Sequence, residues 1–82
     1  MDYKQLAAVI LQKVGGKENV DKVLHCATRL RFTLKDVSKA DTEALKKTKG
    51  VMSVIHAGGQ YQVVIGPDVP QVYQEVVVLG GF

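Results

Sequence analysis

The chain has 82 residues, 46% of them apolar and 23% charged, which is enough for one small domain and too apolar for a disordered chain. No apolar run approaches the ~20 residues of a membrane-spanning helix, and the start MDYKQ lacks signal-peptide architecture, so we expect a cytoplasmic domain without direct membrane insertion. The net charge of +3 is unevenly distributed, because residues 1–50 hold all 11 lysines and arginines.

The first predicted element is an amphipathic helix. Its apolar residues recur at helical spacing, namely Tyr3, Leu6, Ala7, Ile10 and Val14. Asp2 and Gln5 have the spacing of a capping box, which favours a helix start at this point. The Gly15-Gly16 pair is a typical helix stop, so the first helix is expected to end there.

Two strands are predicted after this helix. Residues 20–28 form the first strand, and a tight connection leads into the second. In the second strand, apolar side chains alternate with polar and charged ones, in the order Arg29, Leu30, Arg31, Phe32, Thr33, Leu34. Because the side-chain period of a strand is two, this strand has one apolar face and one charged face.

A short second helix is predicted in the segment SKADTEALKKTKG. Ser38 and Asp41 are candidate N-caps, and Gly50 is a candidate terminator. A third strand follows at residues 51–57, although its inward face is ambiguous because apolar residues fall in both registers. The helix and strand together account for the middle of the chain.

A second hairpin is indicated by the Gly58-Gly59 pair, which is a strong turn signal. Residues 60–65 after it alternate apolar residues with glutamine and form the predicted fourth strand. A third helix comes last, with Asp68 as its cap and Pro70 in its first turn, and it is expected to end near Leu79. Residues 80–82 are interpreted as a linker or a frayed end.

The order of elements is α-ββ-α-ββ-α, which predicts an α+β fold. Two hairpins interleaved with three helices predict a four-stranded antiparallel sheet with the helices on one face, an arrangement called a split sandwich. The domain is expected to occupy residues 1–79. The uncovered face of the sheet, or its rim, is expected to carry Arg29, Arg31, Thr33, Gln60 and Gln62.

The chain's only cysteine lies in the stretch HCATRLRFTL, at the predicted junction of the first two strands. Backbone N–H groups at such a turn lack ladder partners and can bind an anion. Thr28 adds a hydroxyl, and Arg29 and Arg31 project to one side with guanidinium groups suited to phosphate. The same positive surroundings favour the thiolate of Cys26, which is the nucleophilic form.

Other interpretations of this stretch compete with a reactive thiol. A lone cysteine in a strand is commonly a small buried apolar residue, but two nearby arginines make this a poor apolar site. His25 is expected to pack or meet solvent, because adjacent strand residues point to opposite faces. We predict no metal site, because His25, Cys26 and His56 lack a recurring ligand spacing.

Three segments resemble a known family. HCATRLRFTLKD, the run from Gly15 to Val20, and GGQYQVVIGPDV are similar to the enzyme IIB domain of the bacterial sugar phosphotransferase system, in the glucose/β-glucoside/sucrose group. The resemblance covers essentially the whole chain. HCATRLRF with GQYQVVIG is more like the β-glucoside, sucrose, trehalose or N-acetylmuramate members than the glucose members.

The resemblance implies a phosphocarrier function. In this family a cysteine takes a phosphoryl group from a phosphohistidine of the IIA domain and passes it to a sugar held by the membrane IIC domain. By likeness Cys26 is the phosphocysteine, Ala27 and Thr28 lie in its phosphate-binding turn, and Arg29 and Arg31 assist transfer to the sugar. The group is carried covalently, so no separate cofactor is expected.

We also predict where partners bind, because a carrier must dock and release them around Cys26. The predicted partner surface consists of His25, Gly59 and Gln60, and the IIC domain is expected in the same parent chain, which would tether this domain to the inner face of the membrane. Nucleic acid is not an expected partner, because the lysines are scattered and no aromatic residues interleave with them. Two alternatives remain open: a non-enzymatic basic module that binds RNA or another anion, and a redox-sensing thiol protein.

Overall fold

Three helices and four strands follow one another in residues 2–82, which are the residues that the computed structural model describes. The elements are α1 (Tyr3–Lys13), β1 (Val20–His25), β2 (Arg29–Leu34), α2 (Thr42–Lys46), β3 (Ser53–Ala57), β4 (Gln60–Val64) and α3 (Val69–Gly80). Single 3₁₀ turns lie at Lys17–Asn19 and Val37–Lys39. The predicted order of helices and hairpins is confirmed.

The four strands form one antiparallel sheet in the order β1-β2-β4-β3. The two hairpins therefore meet through their second strands, β2 and β4. In that pairing Arg29 faces Val64 and Phe32 faces Tyr61. Because β2 and β4 run in opposite directions, the β1–β2 turn and the β3–β4 turn lie at opposite ends of the sheet.

One face of the sheet carries the core. Leu30, Phe32 and Val63 are completely buried there, and Tyr61 is nearly so. Helix α3 lies against α1 and against β1 and β2, while α2 lies against α1 and β3. The α+β fold with helices on one face is thus confirmed. No helix in the described part of the chain is long and apolar enough to cross a membrane.

Four predicted element boundaries need correction, and one of them is that of β4, which ends at Val64 and not at residue 65. Strand β1 ends at His25, not at residue 28. The N–H of Cys26 donates a hydrogen bond to the Arg29 carbonyl oxygen at 3.0 Å, which closes the turn that leads into β2. Strand β3 begins at Ser53, because the N–H of Val51 is used by the Thr48 carbonyl oxygen after α2. Helix α3 continues to Gly80, one residue beyond the predicted end.

The helix caps follow the sequence only in part. Asp2 and Asp41 accept hydrogen bonds from backbone N–H groups of α1 and α2, as predicted. Ser38 does not start α2; it lies in a 3₁₀ turn where it donates to Asp36. The predicted cap at Asp68 is wrong in its detail, because the side chain of Asp68 caps no N–H group of α3.

Asn19 joins the end of α1 to the segment after β2. Its side chain donates to the carbonyl oxygens of Val14 and Asp36 at 2.8 and 2.9 Å, and it accepts from the Asp36 N–H at 2.9 Å. Only 4% of Asn19 is exposed. Gly15 has φ +108°, and a Cβ there would lie 2.6 Å from the Asn19 amide nitrogen, so glycine is required beside it.

We expect Asn19→Ala to lower the free energy of unfolding by about 3 kcal/mol, because it leaves the buried Val14 carbonyl and the partly buried backbone groups of Asp36 without partners. Urea denaturation followed by circular dichroism measures this change. Lys17→Ala, an exposed substitution in the same 3₁₀ turn, is the control and should change stability by less than about 0.5 kcal/mol. Equal stability of the two variants would contradict the interpretation.

Candidate active site

The turn between β1 and β2 is anchored at both ends. Within the hairpin, the N–H of Cys26 donates to the Arg29 carbonyl oxygen. The Thr28 carbonyl oxygen accepts two further hydrogen bonds, from the N–H groups of Ile65 and Gly66 at 2.8 and 2.9 Å. Since these two residues directly follow β4, the turn is attached to the centre of the sheet as well as to its own strands.

The thiol of Cys26 lies among hydrogen-bond donors. A hydrogen bond from the Arg31 side chain is the largest cause that lowers the pKa of Cys26, and the backbone N–H of Thr28 is the next. Burial works in the opposite direction, and the N–H of Arg29 adds a smaller lowering effect. Together they lower the pKa of the Cys26 thiol to about 7, so a large fraction is thiolate at neutral pH.

This pKa predicts the pH dependence of thiol alkylation. Because only the thiolate reacts, the rate with iodoacetamide should rise with pH and reach half of its maximum near pH 7. In Arg31→Met the main lowering cause is removed, so the midpoint should move up toward that of an ordinary thiol. Lys35→Met, which removes a charge just beyond β2, is the control; an unmoved midpoint in Arg31→Met would refute the assignment.

Glutamines on β4 hold the two arginines above the uncovered face of the sheet. Arg29 Nη1 donates to Gln62 Oε1 at 2.8 Å, and Arg31 Nη1 donates to Gln60 Oε1 at 2.9 Å. Gln62 is only 6% exposed, so its amide is a firm support for Arg29. A guanidinium group has five N–H donors, and each of these pairs uses one, which leaves further donors for an anion.

The predicted partner residues lie at two different ends of the sheet. His25 ends β1 beside the thiol, but its ring packs against Tyr73 of α3 with 4.5 Å between ring centroids. Gly59 lies in the β3–β4 turn at the other end of the sheet, and Gln60 is four residues along β4 from Val64, about 13 Å away. Strand order and direction separate Gly59 from Cys26, and only the side chain of Gln60 reaches toward the site, through Arg31.

Met52 belongs to the site end of the sheet, although the sequence analysis did not assign it there. It is 72% exposed, and its N–H donates to the Val64 carbonyl oxygen at 2.8 Å. Its sulfur lies 3.4 Å from the position of a Cβ on Gly66, the residue that donates to Thr28. Ala27 and Met52 are both exposed apolar residues at the thiol end of the sheet. No signal in the sequence placed Met52 there, because Gly66 lies 14 positions further along the chain.

Other features lie apart from this turn. Within residues 2–82, no three side chains of histidine, cysteine, aspartate or glutamate are grouped to hold a metal ion. A cavity of about 530 Å³ is lined by residues of α1 and of the loop after α2, including Leu6, Val9 and Thr48. None of the residues of the Cys26 turn lines this cavity.

The fold and the turn define a class of protein: a small α+β domain that presents an activated thiol at a strand junction, beside two arginines. Residues 8–41 match the sequence model of the family described as phosphotransferase system, EIIB. A crystal structure described as one domain of the PTS system IIabc component from Clostridium difficile has a TM-score of 0.89 and 34% identity, covering 95% of this chain and 82% of that one. The chain belongs to the EIIB family of the phosphotransferase system.

Similar sequences are found as parts of larger PTS system components. The beta-glucoside-specific EIIBCA component of Halalkalibacterium halodurans is 61% identical over 100% of this chain, and that of Bacillus subtilis is 54% identical over 94%. The sucrose-specific EIIBC component of Staphylococcus xylosus is 45% identical over 99%. The chain spans 13% of the length of the first two of these relatives and 17% of the third.

Proposed function

We propose that the chain is a phosphocarrier in which Cys26 accepts a phosphoryl group from a phosphohistidine of a IIA domain and passes it to a sugar bound by a membrane IIC domain. The observation that carries this proposal is the turn at Cys26, closed by the hydrogen bond from the Cys26 N–H to the Arg29 carbonyl oxygen. In this turn the Arg31 side chain and the N–H groups of Thr28 and Arg29 lower the pKa of the Cys26 thiol. The same donors that stabilise a thiolate can stabilise the oxygens of a phosphoryl group on it.

The proposed reaction has two displacements at phosphorus. In the first, the Cys26 thiolate attacks, the S–P bond forms, the P–N bond breaks, and the electron pair returns to the histidine nitrogen. In the second, a sugar hydroxyl attacks, the O–P bond forms, the S–P bond breaks and releases Cys26 as thiolate, and the hydroxyl proton passes to solvent. A sulfur with a pKa of about 7 suits both steps, because it is ionised before the first and is a good leaving group in the second. The phosphoryl group is carried covalently without a separate cofactor.

The names of the relatives support partners and a substrate class for this proposal. EIIBCA and EIIBC components contain the B function fused to C, and in the EIIBCA case to A as well. These fusions support our proposal that the chain lies beside a IIC domain, at the inner face of the cell membrane. The two most similar relatives named above are beta-glucoside-specific, which favours a β-glucoside as the sugar.

Mapping the phosphorylated residue tests the proposed function. The chain is incubated with a phosphorylated IIA domain, and its intact mass and phosphopeptides are measured. We expect one phosphoryl group, located on Cys26. Phosphate on His25 or His56, or no phosphate at all, would overturn the proposal. Salt-dependent RNA binding that survives Cys26→Ser would instead favour a basic binding module.

The position of Met52 predicts the docking surface of the IIA donor. In titrations followed by NMR, chemical-shift changes should centre on residues 25–31 and on Met52, and not on the Gly58–Gly59 turn at the far end. Met52→Glu places an unpaired charge in this contact and should weaken binding about tenfold. Val78→Glu is the control, since Val78 is similarly exposed near the end of α3. Equal weakening by both variants would contradict this surface.

A further inference from the structure

His25 joins the Cys26 turn to helix α3. Its Nδ1 lies 3.0 Å from the carbonyl oxygen of Cys26. Because a carbonyl oxygen can only accept, Nδ1 must carry the proton. On its other side the imidazole ring lies against the Tyr73 ring, with the two planes inclined by 49°. One side chain thus connects the backbone of the turn to a residue of another element.

Tyr73 is itself held in place by packing against the core. It is half-buried and packs against the core, and its neighbour Val72 on α3 is completely buried, as is Val76 one turn further. Helix α3 is fixed in turn by its contacts with α1 and with β1 and β2. The His25 ring is therefore held by an aromatic contact to the body of the domain, although the residue itself is exposed.

Holding the Cys26 carbonyl has a consequence for the next residue. The C=O of Cys26 and the N–H of Ala27 belong to one planar trans peptide, in which the two groups point in opposite directions. A hydrogen bond from His25 to the carbonyl oxygen therefore fixes the direction of the Ala27 N–H as well. Within residues 2–82, the Ala27 N–H has no hydrogen-bond acceptor.

We propose that His25, supported by Tyr73, is a positioning residue that orients the Cys26–Ala27 peptide so that the Ala27 N–H donates to the phosphoryl group carried by Cys26. This inference rests on the proposed phosphocarrier function. The backbone N–H groups of Thr28 and Arg29 already lower the pKa of the Cys26 thiol and so stabilise its thiolate. The Ala27 N–H is a third donor in the same turn, available for an oxygen beyond the sulfur.

This role differs from that of a general base. His25 is absent from the groups that change the pKa of Cys26, and its ring is turned toward Tyr73. A base is also not needed for a thiol whose pKa is about 7. His25 acts through the peptide and not through proton transfer from the sulfur.

Asparagine and leucine at position 25 separate hydrogen bonding from packing. Leucine removes the donor, whereas the asparagine amide offers an N–H donor near the position of Nδ1. In rapid-quench measurements with a phosphorylated IIA domain, His25→Leu should slow phosphorylation of Cys26 about tenfold, and His25→Asn should restore most of that rate. Tyr73→Leu should also slow the reaction, while Tyr73→Phe, which keeps the ring contact, should not.

Controls distinguish failure of this inference from failure of the proposed function. His56→Leu, at the β3–β4 end of the sheet, should have the wild-type rate. If the wild-type chain accepts no phosphate, the proposed function fails; if it does and His25→Leu is equally fast, only the positioning role fails. Nitrogen-15 NMR decides the hydrogen bond separately: the neutral ring of His25 should carry its proton on Nδ1, and a proton on Nε2 would overturn the inference.

Discussion

Cys26→Ser is expected to abolish phosphorylation of the chain by a IIA phosphohistidine donor. A serine hydroxyl in the same position stays protonated at neutral pH, whereas the pKa of the Cys26 thiol is lowered to about 7 by Arg31 and the turn N–H groups. Loss of this nucleophile should reduce the rate by on the order of 10³-fold or more. The measurement is the intact mass of the variant after incubation with the phosphorylated donor.

A relocated thiol provides the matched control. The double variant Cys26→Ser with Ala27→Cys keeps one cysteine in the same exposed turn, but moves it away from the donors that surround position 26. If the geometry of the turn matters, this variant should recover no phosphorylation. Circular dichroism should confirm that both variants are folded. Phosphate still acquired by Cys26→Ser would show that the carrier residue lies elsewhere.

Lysine in place of Arg29 or Arg31 should impair transfer from phosphocysteine to sugar, although the charge is kept. A lysine ammonium lacks the planar pair of donors, and it cannot both bond a β4 glutamine and bind phosphate in two places as the guanidinium can. Loss of one charge-assisted contact typically costs about 1.5–3 kcal/mol, which is roughly 10- to 150-fold in rate. The first step, from phosphohistidine to Cys26, should suffer less because the turn N–H groups remain.

The two half-reactions must be measured separately for this prediction. Each lysine variant is combined with a IIA donor, and phosphorylation of Cys26 is followed first; a membrane IIC domain and a β-glucoside are then added. Lys22→Ala is the control. Lys22 of β1 pairs with Thr33 of β2, so this substitution removes a positive charge near the same face of the sheet. Sugar phosphorylation at the wild-type rate in both lysine variants would contradict the prediction and show that only the positive charge of the arginines matters.

The sequence predicts the fold well because the local signals agree with the packing. The alternation from Arg29 to Leu34 matches a strand with Leu30 and Phe32 fully buried and Arg29 and Arg31 on the other face. The Asp2 and Asp41 caps are short-range interactions and were visible in the sequence. Cys26 and its arginines were found for the same reason, since they lie within six consecutive residues.

Long-range geometry explains what the sequence did not predict. Gly59 is predicted to lie in the partner surface, but its position relative to Cys26 depends on the pairing of β2 with β4, which decides which end of the sheet each turn occupies. Gln62 supports Arg29 from 33 positions away, and Tyr73 meets His25 from another helix. Such contacts depend on strand order and helix placement, which a single sequence does not contain.

On the proposed phosphocarrier function, the position of one thiol at one end of the sheet also constrains the order of the two phosphoryl transfers. In each in-line transfer the Cys26 sulfur lies on one side of the phosphorus atom, and a single partner atom, from the donor histidine or the sugar, lies on the opposite side. The donor and the sugar site therefore cannot engage Cys26 at the same time. The two partners must therefore compete for the same end of the domain, and each visit must be short. In a fused chain, tethering replaces tight binding, because a linker raises the local concentration of each partner to about millimolar. Turnover would then be limited by how fast partners exchange at the thiol, and a linker variant could change the rate of transport without altering any residue around Cys26.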